Sequence, residues 1–407
     1  MTPDVSNSSK ETGEPNSTGS EMKLLEPGEV IKPIVPEGVL KDLVWRLFGL
    51  HVIKHKELVS YDDKNFYITV NCEEWNNPYI LDVCPDGYVL KILNSMDSTR
   101  PQLIEAQHAF MQHLRDNGIR AQEPALNLQG TDMILTKISA DEGESTGKYG
   151  TYLVRLMAFI PGRVVGSVEY NIPTLRNIGL FVGLMHQALQ SFHHPVYDTY
   201  DTVWSLTHTP NLGKFASAVK NDTDREVCEQ VIEAFKQEVV PRYNQLQKGI
   251  IHGDANENNI LVAPVDGRHL DVDVDDDVEY DVTGIIDFAD SCKSYLVLDV
   301  AITATYMSIE CKKVDQLDAA GYILAGYMSE GYLNETELDI MKTCICSRLA
   351  MSLIMGAYTY MQDPSNVYVL ETAEKGWPLL HKYWAAPNDE LLARWKSIIK
   401  QYENCKS

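Results

Sequence analysis

"GIIHGDANENNILV", residues 249–262, places His252 two residues before Asp254 and Asn259 five residues after it, between two apolar runs. Two readings compete. One is a tight turn between strands, with Gly, Asp and Asn supplying the turn geometry. The other is a site that holds a metal ion and a hydroxyl group against a phosphate. The pattern His-x-Asp-x-x-x-x-Asn is too short to choose between them, so its surroundings decide.

Upstream, residues 1–28 are rich in Ser, Thr, Glu, Pro and Gly, a composition expected to be disordered. "VLKDLVWRLFGL" (39–50) has helical apolar spacing and should stop at Gly49. Strands are expected at "NFYITV" (65–70), "YILDV" (79–83) and "GYVLKI" (87–92), the last two separated by a Pro-Asp-Gly turn. "STRPQLIEAQHAFMQHLRDNGI" (98–119) reads as an amphipathic helix, with Pro101 in its first turn and Gly118 beyond its end. Two more strands follow, "DMILTKI" (132–138) and "YLVRLMAFI" (152–160), before "PGR" (161–163) breaks the pattern. Downstream the texture is helical, over 173–192, 222–246, 295–310, 315–330, 335–361, 368–382 and 389–403, with only 249–290 reading as strand. The expected fold is therefore α+β and two-lobed. A β-rich N-lobe with one main helix spans 37–160, and a larger, mainly helical C-lobe spans 161–407.

Bulk properties narrow the chemistry. At 407 residues the chain is long enough for two lobes or domains, and its 44% hydrophobic content is ordinary for a globular protein. A formal net charge of −23 argues against nucleic-acid or anionic-membrane partners and favours a cationic small molecule. The eight cysteines include no Cys-x-x-Cys pair, so neither a zinc site nor a redox motif is suggested. The N-terminal stretch has no apolar core and no run of about 18 apolar residues occurs, so the expected location is cytoplasmic.

Four features stand beside the 249–262 stretch in a telling order. Lys91 ends an apolar strand, Glu105 lies early in the next helix, Asp254 and Asn259 follow His252, and Asp287 sits in "GIIDFAD" (284–290). Phosphoryl transfer needs such parts: a lysine on a rigid strand against nucleotide phosphates, a helix carboxylate holding it, an aspartate for the attacking hydroxyl, and an Asn and an Asp as oxygen ligands for Mg²⁺. The short turn after "GII" faces Asp254 and Asn259 into one cleft, and "VTGIIDF" returns to deliver Asp287 beside them.

On these residues the chain resembles the protein-kinase-like fold in its aminoglycoside phosphotransferase and choline kinase branch, where "HGD" stands for the "HRD" of protein kinases. "SYDDKNF" (60–66), "YVLKI" (88–92), "LIEAQ" (103–107), "YLVRLMAFIPGR" (152–163), "FHHP" (192–195), "IDFAD" (286–290) and "AEKGW" (373–377) further resemble the hydroxylysine kinase subfamily, in order over about 38–385. The resemblance implies Asp254 as catalytic base, Asn259 and Asp287 as Mg²⁺ ligands, Lys91 with Glu105 as the phosphate-holding ion pair, and His252 as a brace for the catalytic loop. It puts "SYDDKNF" where a phosphate-covering loop belongs, with Asn65 or backbone N–H groups as phosphate contacts, although the stretch has no glycine. It also implies nucleotide binding in the N-lobe and transfer of the γ-phosphate of GTP to 5-hydroxy-L-lysine, a step of hydroxylysine catabolism. The alternatives are ATP as donor, another amino-alcohol or sugar acceptor such as choline, homoserine or methylthioribose, or an inactive binding module. The complete Lys, Asp, Asn and Asp set argues against the last. After Asp287 the chain runs almost directly into a helix, leaving no platform for a peptide, so a free metabolite is the expected acceptor. Arg163 and Arg348 are both candidates for its carboxylate.

Other motifs fail their own tests. "DEGESTGKYG" (141–150) suggests a P-loop, but Glu142 replaces the first glycine and Tyr149 follows the lysine. "DVDVDDDVEYD" (271–281) suggests a calcium loop, but Asp276 and Val282 occupy the positions that need Gly and Glu. His186, His193 and His194 lack partners at metal spacing and read as structural.

Overall fold

The computed structural model describes residues 31–60, 62–140, 149–265, 278–362, 364 and 371–403. The expected tail at 1–28, most of the acidic stretch 271–281 and most of the false P-loop at 141–150 lie outside these residues.

Helix α1 (Leu40–Phe48) buries Leu40, Leu43, Val44 and Leu47 on one face. Strand β1 (Leu50–Leu58) follows, where no strand was expected, because "LHVIKHKEL" is mostly polar. It is an edge strand, and solvent takes the side chains that a central strand would bury. Strand β2 (Lys64–Trp75) pairs with β1 on one side and with β3 (Tyr88–Ile92) on the other. The strand expected at 79–83 is a turn instead. The Asn77 side chain donates to Phe48 O and Leu126 O at 2.9 Å each and accepts from Tyr79 N, so a side chain satisfies the local backbone in place of a ladder.

Helix α2 (Pro101–Asp116) comes next, then β4 (Pro124–Ala125), β5 (Ile134–Ser139) and β6 (Tyr149–Ala158). The sheet is antiparallel in the order β1-β2-β3-β6-β4, with β5 also on β6. Its apolar face packs Phe66, Ile68, Leu90 and Leu156 against α1. The inward face of α2 instead carries Phe110, Met111 and Leu114 into the other core, that of the helical lobe. Ile104 on the same helix packs with Leu153 of β6, so α2 joins the sheet to the helical lobe.

Beyond 158 come β7 (Arg163–Val164), α3 (Ile172–Leu189) and α4 (Asp222–Ala234). The helix expected to reach 246 leaves regular α geometry at Ala234 and continues as a π turn and a 3₁₀ turn. Pro241, with no N–H and a ring that crowds the preceding turn, accounts for the change. Strands β8 (Lys248–Ile251), β9 (Ile260–Pro264), β10 (Tyr280–Ile285) and β11 (Cys292–Tyr295) form two small sheets, β10-β9-β7 and β11-β8. The chain ends in α5 (Leu296–Glu310), α6 (Gln316–Tyr327), α7 (Glu335–Asp339), α8 (Met341–Gln362), α9 (Glu371–Ala385) and α10 (Asn388–Glu403). Their core includes Phe235, Tyr383 and Trp395, all fully buried, with Trp395 Nε1 donating to Leu317 O at 2.7 Å. Emptying such a site costs about 3–5 kcal/mol. Among the described residues no helix is long and apolar enough to cross a membrane.

Candidate active site

The catalytic loop is built from its backbone outward. Asp299, fully buried in the first turn of α5, accepts from His252 N at 3.1 Å, Gly253 N at 2.9 Å and His186 Nε2 at 2.9 Å. Burial alone would raise its carboxyl, but the bonds from His186 and from the Gly253 backbone N–H hold it below the usual carboxylate range. His186 is in turn held by Tyr327 Oη at 3.0 Å, so it is a packed structural residue, as its sequence context suggested. His252 is also enclosed. Burial pushes its imidazole pKa down, so the ring is neutral at pH 7. Nε2 then donates to Ile286 O at 3.1 Å, and Nδ1 accepts from Asp254 N at 3.3 Å. The ring thus links β10 to the loop and has no free nitrogen for the cleft.

These bonds fix Asp254. Its Oδ2 accepts from the side-chain amides of Asn256 and Asn259, each at 2.9 Å, and Oδ1 accepts from Arg348 Nη2 at 2.7 Å. Burial raises its pKa against the pull of Arg348, which suits a proton acceptor. The amide nitrogen of Asn259 is committed to Asp254, which leaves Oδ1 as its metal-competent atom. Asn259 O accepts from Ile286 N at 2.9 Å, bringing Asp287 alongside. Asp287 has a positive φ of 62°, rare for a residue with a β-carbon and costly outside functional sites.

From the other lobe, Lys91 reaches Asp287 Oδ1 at 3.4 Å, with the lysine side chain 7% exposed. Burial would raise the Asp287 carboxyl; Lys91 and Arg155 outweigh it and hold the group ionised. Lys91, Asp254, Asn259 and Asp287 all line one interlobe cleft of about 1760 Å³. A neutral amide oxygen and an ionised carboxylate are hard donors that fit Mg²⁺, whose remaining ligands are ordinarily phosphate oxygens and water.

Glu105 does not join them. It is exposed on α2, and no ion pair ties it to Lys91. The inward position lies two residues later, at Gln107, which is 2% exposed and accepts from Arg155 Nη1 at 3.0 Å. Arg155, opposite Lys91 on β6, is the buried cation that this helix supports. Two residues are about 200° around a helix, so the expected phase was on the wrong face. Asn65 lies opposite Lys91 on β2, lines the cleft, and keeps a buried Oδ1 without a protein partner. In the glycine-free loop, Asp63 Oδ1 accepts from Asn94 N and Nδ2, which ties the loop to the segment after β3.

The far side of the cleft was only partly foreseen. Arg163 lies outside the lining and donates to Ser167 O at 2.7 Å. Arg348 lines it, 3% exposed, held by Tyr306 Oη at 3.1 Å and Trp204 O at 3.3 Å as well as by Asp254. Asp290, Thr202 and Glu257 also face this space, and no spacing rule marked them.

The sequence profile of the Phosphotransferase enzyme family matches residues 73–332. The chain is 33% identical to hydroxylysine kinase of Mus musculus over 381 residues, covering 92% of this chain and 96% of that one. It is 35% identical to hydroxylysine kinase of Xenopus laevis over 351 residues, covering 85% and 89%. Among solved structures it is similar to an amicoumacin kinase in complex with AMP-PNP, Ca²⁺ and Ami, at TM-score 0.60, 16% identity and coverage of 87% and 97%. It is also similar to a microcompartment-associated aminopropanol kinase, at TM-score 0.59, 13% identity and coverage of 85% and 97%. These two likenesses carry the two-lobed, protein-kinase-like α+β fold.

Proposed function

The chain belongs to the Phosphotransferase enzyme family and is a small-molecule phosphotransferase acting on a hydroxyl group; from that premise we propose that it transfers the γ-phosphate of GTP to 5-hydroxy-L-lysine, giving 5-phosphohydroxylysine and GDP. The observation that carries the reading is the meeting of Lys91 and Asp287 from opposite lobes, 3.4 Å apart, in the cleft that Asp254 also lines. The acceptor follows from the hydroxylysine kinase relatives, and GTP from the subfamily resemblance.

In this reading residues 37–160 hold the nucleotide, and residues 161–407 supply the catalytic loop and the acceptor pocket. The Lys91 ammonium and the Asn65 side-chain N–H meet phosphate oxygens. Asn259 Oδ1 and Asp287 would hold Mg²⁺, which supplies charge neutralisation on the phosphates. Asp254 orients the acceptor hydroxyl and takes its proton as the oxygen attacks phosphorus and the bond to the GDP oxygen breaks. His252 and Asp299 hold Asp254 in place without touching substrate. Of the two candidate arginines only Arg348 lines the cleft, where it holds Asp254 Oδ1 at 2.7 Å. The seven cysteines among the described residues are all free thiols, which suits a reducing, cytoplasmic setting; the acceptor itself suits a place in hydroxylysine catabolism.

The test is acceptor-dependent nucleoside diphosphate release over a panel of 5-hydroxy-L-lysine, choline, homoserine and methylthioribose, with GTP and ATP. Turnover with 5-hydroxy-L-lysine and GTP is expected, and silence with that acceptor refutes the assignment. Asp254→Asn should lower kcat by about 100-fold or more while nucleotide affinity stays within about twofold. Asp287→Asn should instead remove Mg²⁺-dependent nucleotide binding in a calorimetric titration. Full kcat in the first variant, or unchanged binding in the second, contradicts these roles.

A further inference from the structure

The cleft is lined by several acids, and four of them are already matched. Asp254 is paired with Arg348 at 2.7 Å, and Asp287 with Lys91 at 3.4 Å. Glu310 is paired with Lys375 at 2.6 Å, and Asp201 with His208 at 2.7 Å. Glu257 lies beneath the interlobe connection, its backbone O accepting from Gly166 N at 2.8 Å. Glu257 also has no paired cation among the described residues, and its Oε2 is buried without a partner; Asp290 differs in being oriented by a neutral hydroxyl. Its Oδ1 accepts from Thr202 Oγ1 at 2.8 Å, and among the described residues no cation pairs with it.

Its place is fixed with respect to the reacting group. A β-carbon on Gly253 would stand 2.3 Å from Asp290 O, so the backbone of Asp290 rests on the residue that immediately precedes Asp254. Thr202, itself 4% exposed, holds Oδ1, and both residues line the cleft. A carboxylate oriented by a neutral hydroxyl, beside the hydroxyl-activating group and without an ion pair among the described residues, is built to receive a cation from outside the protein.

We propose that Asp290 binds an acceptor ammonium adjacent to the reacting hydroxyl, so that the enzyme selects 2-amino alcohols, with Thr202 as the residue that orients it. This rests on the acceptor reading above and deepens it. In 5-hydroxy-L-lysine the ε-ammonium lies on the carbon next to the one that bears the hydroxyl. Asp254 on the hydroxyl and Asp290 on the neighbouring ammonium therefore fix the reacting end. Burial beside Asp254 pushes the Asp290 carboxyl up to about 7 in the absence of that cation, which agrees with a partner still to arrive.

The test compares kcat/KM for 5-hydroxy-L-lysine with that for 2-amino-5-hydroxyhexanoic acid, which keeps the hydroxyl and lacks the neighbouring ammonium. Wild type should prefer the former by about 10- to 100-fold, the worth of a charge-assisted bond. In Asp290→Asn that ratio should collapse to within about threefold, through acceptor KM, with nucleotide KM unchanged; Thr202→Val should narrow it partway. If wild type uses both acceptors equally, the Asp290 assignment fails with no variant needed. It also fails if Asp290→Asn keeps the preference, or if Glu257→Gln collapses it instead. If wild type phosphorylates neither compound, the acceptor reading falls and takes this assignment with it.

Discussion

Asp290 carries a stability cost that can be separated from its use. Its folded pKa of about 7 lies above the ordinary 3.8, so between those values the unfolded chain holds fewer protons than the folded one. Folding stability from this group therefore falls as pH rises through that window, and the full penalty is present above about 7. Asp290→Asn should raise Tm by about 2–4 °C at pH 8 and by much less at pH 5, read by scanning calorimetry. A gain that does not change with pH would mean that the carboxylate is already neutralised in the free enzyme. Gain of stability with loss of acceptor preference is what a residue held for function should give. Gly253 stands next to it with φ of 80° and no room for a side chain, so Gly253→Ala would shift both acids together. At this scale the sequence was legible where a residue belongs to a short motif: Lys91, Asp254, Asn259 and Asp287 all meet in the cleft. It was not legible where helix phase decided, as at Glu105 and Gln107, nor at Thr202, which sits in a segment without periodicity.

Helices matter to catalysis here through what they hold still. Helices α3 and α6 cross so closely that a β-carbon at Gly326 would lie 2.0 Å from Arg176 O, and one at Gly179 would lie 2.0 Å from Ile323 O. That contact sets His186 on α3 against Tyr327 on α6, and His186 against Asp299, which carries the His252 and Gly253 backbone. Packing two helices thus positions the loop that presents Asp254. Gly326→Ala should cost about 1–3 kcal/mol as overpacking and should lower kcat in parallel, because separating the helices slackens Asp299. Gly213→Ala is the control: its β-carbon would meet nothing within 4 Å, so neither Tm nor kcat should change. Loss of stability in Gly326→Ala with full kcat would uncouple the helix contact from the loop. The helices themselves were readable from apolar periodicity, whereas β1 was not, since an edge strand can stay polar along its length. The turn at 79–83 was misread because the Asn77 side chain, absent from any period-2 count, satisfies the backbone there.

Over the whole molecule, a net charge of −23 surrounds a cleft whose reaction requires an anionic nucleotide and, in the reading above, a cationic acceptor. The two ligands are therefore treated oppositely by the long-range field. The nucleotide must be compensated locally, by Lys91 and a divalent cation, whereas 5-hydroxy-L-lysine, with two ammonium groups and one carboxylate, is drawn in by the field itself. That attraction acts through solvent and is screened over about 10 Å at 0.1 M salt, unlike the enclosed contact at Asp290. With nucleotide held saturating, kcat/KM for 5-hydroxy-L-lysine should fall severalfold between about 0.05 and 0.5 M NaCl. The net-neutral 2-amino-5-hydroxyhexanoic acid should change by less than about twofold over the same range. Asp290→Asn removes one charge from the whole and should leave the salt slope for 5-hydroxy-L-lysine nearly intact while lowering its absolute value. Equal slopes for the charged and neutral acceptors would mean that the molecule's acidity plays no part in capture, and that acceptor choice rests on the cleft contacts alone.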